Sequence, residues 1–112
     1  MALKVTTADP RGLVESIRKA IDDGDLDTWE TTENGLFTHS TKSGQWKNKA
    51  WLKPMYGTDY VKFYIIRPKD KSISREVYAV YHGRFCEMLL AHFDKRISLI
   101  TASALGEKND LV

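Results

Sequence analysis

The chain is poor in cysteine: Cys86 is the single thiol in 112 residues, so no internal disulfide can form. Three prolines and seven glycines are scattered along it. That spacing leaves no glycine-rich loop to cradle a phosphate, and no low-complexity linker. A second cysteine pair and a His-Glu-x-x-His pattern are both missing, so the usual zinc signatures are excluded. No apolar run approaches the roughly 20 residues that span a bilayer. The opening Met1-Ala2-Leu3-Lys4-Val5-Thr6-Thr7 lacks the apolar stretch of a secretory signal, and Ala2 excludes N-myristoylation. These absences predict a single domain over residues 1–112 in a reducing cytoplasm, with no membrane anchor, no cofactor and no metal. Residues 1–7 and 106–112 are expected to fray.

What is present is an uneven charge. Residues 1–40 carry a net −4, residues 41–75 a net +7 and residues 76–112 a net −1, in a chain whose total is +2. The basic stretch also holds Trp46, Trp51, Tyr56, Tyr60, Phe63 and Tyr64. Such asymmetry marks a candidate polyanion site, against the plainer reading of basic strands facing an acidic helix or a second copy.

Local patterns give the order of elements. Asp9-Pro10 opens a helix whose apolar stripe is Leu13, Val14, Ile17, Ala20 and Ile21, with Glu15 and Lys19 placed to pair and Gly24 closing it. Trp29 to His39 reads as a hairpin around Glu33-Asn34-Gly35. A two-residue Asn34-Gly35 turn would split Trp29 and Phe37 between faces; a three-residue loop, with Gly35 left-handed, is preferred because it gathers Trp29, Thr31, Phe37 and His39 on one face and leaves Glu30, Thr32, Thr38 and Ser40 on the other with Leu36. Trp46–Met55 and Tyr60–Ile66 follow as strands. A four-residue loop pairs Leu52 with Phe63 and Ala50 with Ile65 on the inside, and Trp51 with Tyr64 and Lys53 with Lys62 on the outside. Ser72 or Ser74 caps a long helix reaching about Phe93, and Ile97–Ala102 is a candidate fifth strand. The expected fold is α+β. It has an N-terminal helix, a four-stranded or five-stranded antiparallel meander and a long C-terminal helix, with both helices on one sheet face.

Four constellations carry chemistry. Lys49, Trp51, Lys53, Lys62 and Tyr64, with Trp46, Lys47 and Arg67 nearby, form a cationic and aromatic outer face suited to single-stranded nucleic acid or another polyanion. Its plain alternative is a solvated or covered face. Tyr78, Tyr81, Phe85 and Met88 lie on an apolar arc wider than one sheet hides, which suggests a homodimer; a fully internal core is the alternative. His82 and Cys86 stand one turn apart as a nominal base and nucleophile, but a mid-helix apolar thiol is usually inert. His39 is expected as a hydrogen-bonded sheet histidine with no carboxylate to orient it. No catalytic residue is assigned. The expected function is a small non-enzymatic binding or adaptor module, homodimeric. Polyanion binding is the first alternative, and an enzyme using His39 or His82 with Cys86 the second.

The run Gln45-Trp46-Lys47-Asn48-Lys49-Ala50-Trp51-Leu52-Lys53-Pro54, followed by Glu76-Val77-Tyr78-Ala79-Val80-Tyr81-His82-Gly83-Arg84-Phe85, resembles small uncharacterised bacterial proteins, some carried by mobile gene cassettes. The resemblance spans most of the chain. It implies a bacterial origin and no established activity, and it transfers no site residue.

Overall fold

Ala2–Thr6 form an inner strand of the sheet. The computed structural model describes residues 2–40, 46, 48–69 and 71–104. In it β1, Ala2–Thr6, pairs antiparallel with β5, Tyr60–Ile66, on one side and with β6, Leu99–Ala102, on the other. Leu3 and Val5 are fully buried, while Lys4 between them is exposed. That alternation is what a strand with one covered face requires. The strand's end is tied by hydrogen bonds from the Thr7 N–H to the Asp59 carbonyl (2.9 Å) and from Thr7 Oγ1 to the Arg96 carbonyl (2.7 Å). Non-local pairing with β5 and β6 thus holds residues 2–6 of the segment 1–7 in the sheet; Met1 lies outside the described residues. The expected fraying of 106–112 falls outside the described residues.

Helix α1 spans Pro10–Asp22. Asp9 caps it by accepting from the Gly12 N–H at 3.1 Å, and Pro10 fits the first turn, where no N–H is needed. Gly24 follows at φ 84°. Glu15 pairs with Arg18 at 2.8 Å rather than with Lys19, and Arg18 also donates to the Gly35 carbonyl (3.1 Å), tying helix to hairpin.

The hairpin of β2, Trp29–Thr31, and β3, Phe37–His39, has the three-residue loop. Trp29 faces His39, Thr31 faces Phe37, and Gly35 sits at φ 78°. Trp29, Phe37 and His39 are buried together, as the pattern predicts. Thr38 and Ser40, expected on a polar outer face, are buried too. Both are satisfied: Thr38 Oγ1 donates to the Ala50 carbonyl at 2.7 Å, and Ser40 Oγ to the Asp27 carbonyl at 2.8 Å.

β4 covers Trp51–Tyr56, not Trp46–Met55. The chain before it is bent at Asn48, whose φ is 52°. It is gripped by the Tyr81 hydroxyl, which accepts from the Lys49 N–H (3.0 Å) and donates to the Trp46 carbonyl. The β4–β5 turn is also tighter than expected. Leu52 faces Ile65, Lys53 faces Tyr64 and Met55 faces Lys62. The register is thus two residues from the predicted one, and a shift of two keeps every side chain on its predicted face.

Helix α2 spans Arg75–His92. Ser74 caps it, accepting from the Val77 N–H at 3.1 Å, and Glu76 lies in the first turn. The six strands form one sheet in the order β2-β3-β4-β5-β1-β6, antiparallel throughout the described pairings. The fold is α+β, with six strands rather than four or five. Leu3, Val5, Phe37, Leu52, Phe63 and Ile65 from the sheet share one core with Leu13, Val14 and Ile17 of α1 and Tyr81, Phe85 and Leu89 of α2. Both helices therefore cover the same face, and no described element covers the other.

Candidate functional site

The uncovered face is built by strand alternation. Leu52, Val61, Phe63 and Ile65 are buried toward the helices, so Trp51, Lys53 and Met55 of β4 and Tyr60, Lys62 and Tyr64 of β5 look the other way. β1 adds Lys4, whose cross-strand partner is Lys62. Two lysines directly opposed on adjacent strands repel. Each ammonium group lies over a ring: Lys4 Nζ is 4.7 Å from the Tyr60 ring centroid, and Lys62 Nζ 5.8 Å from that of Tyr64. Each cation gains the ring's negative face, worth about 0.5–1 kcal/mol at an exposed site. The arrangement is a patch of three lysines, Lys4, Lys53 and Lys62, seated among aromatic rings.

Two of the predicted site residues change role. Lys49 is exposed but is not on this strand. It lines a separate hollow with Pro68, Lys69 and Lys71, because Asn48 and Tyr81 turn the chain before β4 begins. Tyr64 is only 7% exposed, so its ring supports Lys62 rather than offering a free stacking surface. Trp51 and Lys53 stand where predicted, half-buried and exposed. Trp46 belongs to the helix side, packed on the core with the Arg84 guanidinium 5.9 Å from its ring. Lys47 lies outside the described residues. Lys4 was missed, although the alternation of Leu3, Lys4, Val5 and Thr6 is the signal that marks it.

The proposed interface arc is mostly internal. Tyr81 and Phe85 are fully buried and Met88 nearly so, inside the chain's own core; only Tyr78 is half-buried. The arc is absorbed because Tyr81 and Phe85 pack on Trp29, Phe37, His39 and Phe63 of the sheet. His82 is buried, its Nδ1 2.9 Å from the Tyr78 carbonyl. Burial pushes the Cys86 thiol above its ordinary range, so it stays a neutral, weakly nucleophilic thiol near pH 7. That pair does not make an activated nucleophile.

His39 departs from its expectation. It is 1% exposed, stacked on Trp29 with centroids 4.3 Å apart and met edge-on by Tyr81 at 4.9 Å. Among the described residues neither ring nitrogen has a hydrogen-bond partner. Burial, helped by the Arg84 charge and weakly opposed by the Thr28 backbone, lowers its pKa from 6.5 to about 4. The ring lines a cleft of about 350 Å³ together with Trp29, Arg84, Glu87, Met88 and His92.

No group of three or more His, Cys, Asp or Glu among the described residues could hold a metal ion, and no helix among them is long and apolar enough to cross a membrane. No protein-family model matches the chain, and comparison with curated proteins and with solved structures returns no match.

Proposed function

We propose that the protein is a non-enzymatic binding module that takes single-stranded nucleic acid on its open sheet face. One observation carries this reading: Lys4 and Lys62 are directly opposed, with Lys53 beside them, on a face that no described element covers. Three ammonium groups gathered on one face give a phosphate backbone a cationic seat. Phosphates would meet the three ammonium groups, while Trp51 offers its half-exposed ring to a base. A second copy fits this face poorly, because a two-fold pairing would set lysines against lysines. The cytoplasmic setting and the bacterial, cassette-borne origin belong to the same proposal.

The test is fluorescence anisotropy of a labelled single-stranded oligonucleotide. Lys4→Gln with Lys62→Gln should weaken binding several-fold, since two of the three phosphate-neutralising charges go. Binding untouched by that double change would remove the sheet face from the account.

Self-association keeps one specific support, on a different part of α2. Leu90 is 55% exposed, and Ala79, Gly83 and Cys86 lie on the same side of the helix one to three turns before it. A methyl group added at Gly83 would meet nothing within 4 Å, so no internal contact requires glycine there. Glycine inside a helix costs about 1 kcal/mol relative to alanine. In a dimer that meets along this stripe, Gly83→Ala should shift light-scattering mass from two chains toward one. A monomer stabilised by about 0.5–1 kcal/mol on the same change would end the dimer reading.

A further inference from the structure

The cleft beside His39 is unexplained by a role for the sheet face. It sits on the helix side of the sheet, between the β2–β3 hairpin and α2. A neutral imidazole carries one donor and one acceptor. Leaving buried polar atoms unpaired costs stability, and a phenylalanine would stack on Trp29 without that cost. The position therefore bears a polar group that no well-formed hydrogen bond among the described residues satisfies, although the Thr28 backbone lies close enough to favour its protonated form.

Its surroundings specify what would use it. Trp29 and Met88 give the cleft apolar walls. Arg84, Glu87 and His92 line it and are exposed, so they form a rim of side chains that a ligand can displace. Arg84 supplies a fixed positive charge with a planar donor fork matched to a carboxylate. Glu87, one turn along α2, opposes a second negative charge. A volume of about 350 Å³ admits a molecule of one ring or a short chain.

We propose that this cleft binds a small monocarboxylate with a flat apolar body. The carboxylate meets Arg84 and accepts from the His39 N–H, and the body lies against Trp29 and Met88. The inference is independent of nucleic-acid binding: the two sites lie on opposite sides of the sheet, and either can fail alone.

Benzoate is the probe, with benzylamine as the cation of the same shape. NMR follows the ring resonances of His39 and Trp29 in the full chain. Benzoate should shift both saturably, benzylamine should not, and Arg84→Gln should weaken benzoate about tenfold, as expected for a lost charge-assisted pair. Arg84 is exposed, so this variant keeps the fold and reads the site alone. No shift by benzoate up to its solubility limit, equal binding of benzylamine, or unchanged affinity in Arg84→Gln would each overturn the proposal.

Discussion

Phe85→Ala lowers the stability of the fold by about 3–5 kcal/mol, the range for removing a buried phenylalanine. The ring is fully buried and touches three others, with centroids 4.7 Å from Phe63, 5.0 Å from Trp29 and 5.6 Å from Phe37. Those neighbours come from β5, β2 and β3, so the gap opens where α2 rests across the sheet. The neighbours are themselves aromatic and held by backbone pairing, which limits how far they can collapse into the void. A domain of this size is stable by only about 5–15 kcal/mol, so the change should be plain in urea unfolding. Leu90→Ala, on the exposed side of the same helix, is the control and should move the midpoint little. A mild Phe85→Ala would mean that α2 does not pack on this face.

Acid should cost the protein roughly 3 kcal/mol through His39 alone, the free-energy equivalent of its shift from 6.5 to about 4. Below pH 6.5 the unfolded imidazole gains a proton, while the folded one stays neutral until about pH 4. The unfolded state then binds more protons, so this term costs nothing above 6.5, grows as pH drops through the window and reaches its full size below about 4. Burial is the main cause. The titratable and charged groups lining the cleft with the ring are Arg84, Glu87 and His92, all from α2, and the Tyr81 ring meets it edge-on. Acid acts on other groups of the chain as well, so the comparison needs a variant. His39→Phe isolates the effect. It should match or exceed the wild type at pH 7, having no unpaired nitrogens, and show a flatter stability curve between pH 6.5 and 4. Parallel curves for the two proteins would show that His39 does not stay neutral in the fold.

Much of this architecture was legible where the signal is local. Asp9-Pro10 announces α1 because an acceptor and a missing donor are what a helix start needs. Glu33-Asn34-Gly35 fixes the hairpin register because only a left-handed Gly35 keeps Trp29 and Phe37 on one face. Strand parity at Leu52 and Phe63 survives even a two-residue slip, since the side-chain period is two. The losses are long-range. β1 carries only Leu3 and Val5 as apolar anchors, and its partners lie more than fifty residues along the chain. Nothing near residue 4 says that Lys62 will face it. Tyr81 reads as interface surface from its helix position, yet its hydroxyl is spent holding the 46–50 segment. His39 was visible as a residue. That its nitrogens go unpaired depends on Trp29, Tyr81 and Arg84 closing around it, a tertiary fact.

The salt dependence of oligonucleotide binding decides the matter most directly. With Lys4, Lys53 and Lys62 each displacing a counter-ion from a single strand, the log–log slope of affinity against salt should be about −2. It should fall to about −0.7 when Lys4 and Lys62 become glutamine. A slope that stays near zero, or one that does not change with those two lysines, would contradict a cationic sheet face as the place where this protein meets its partner.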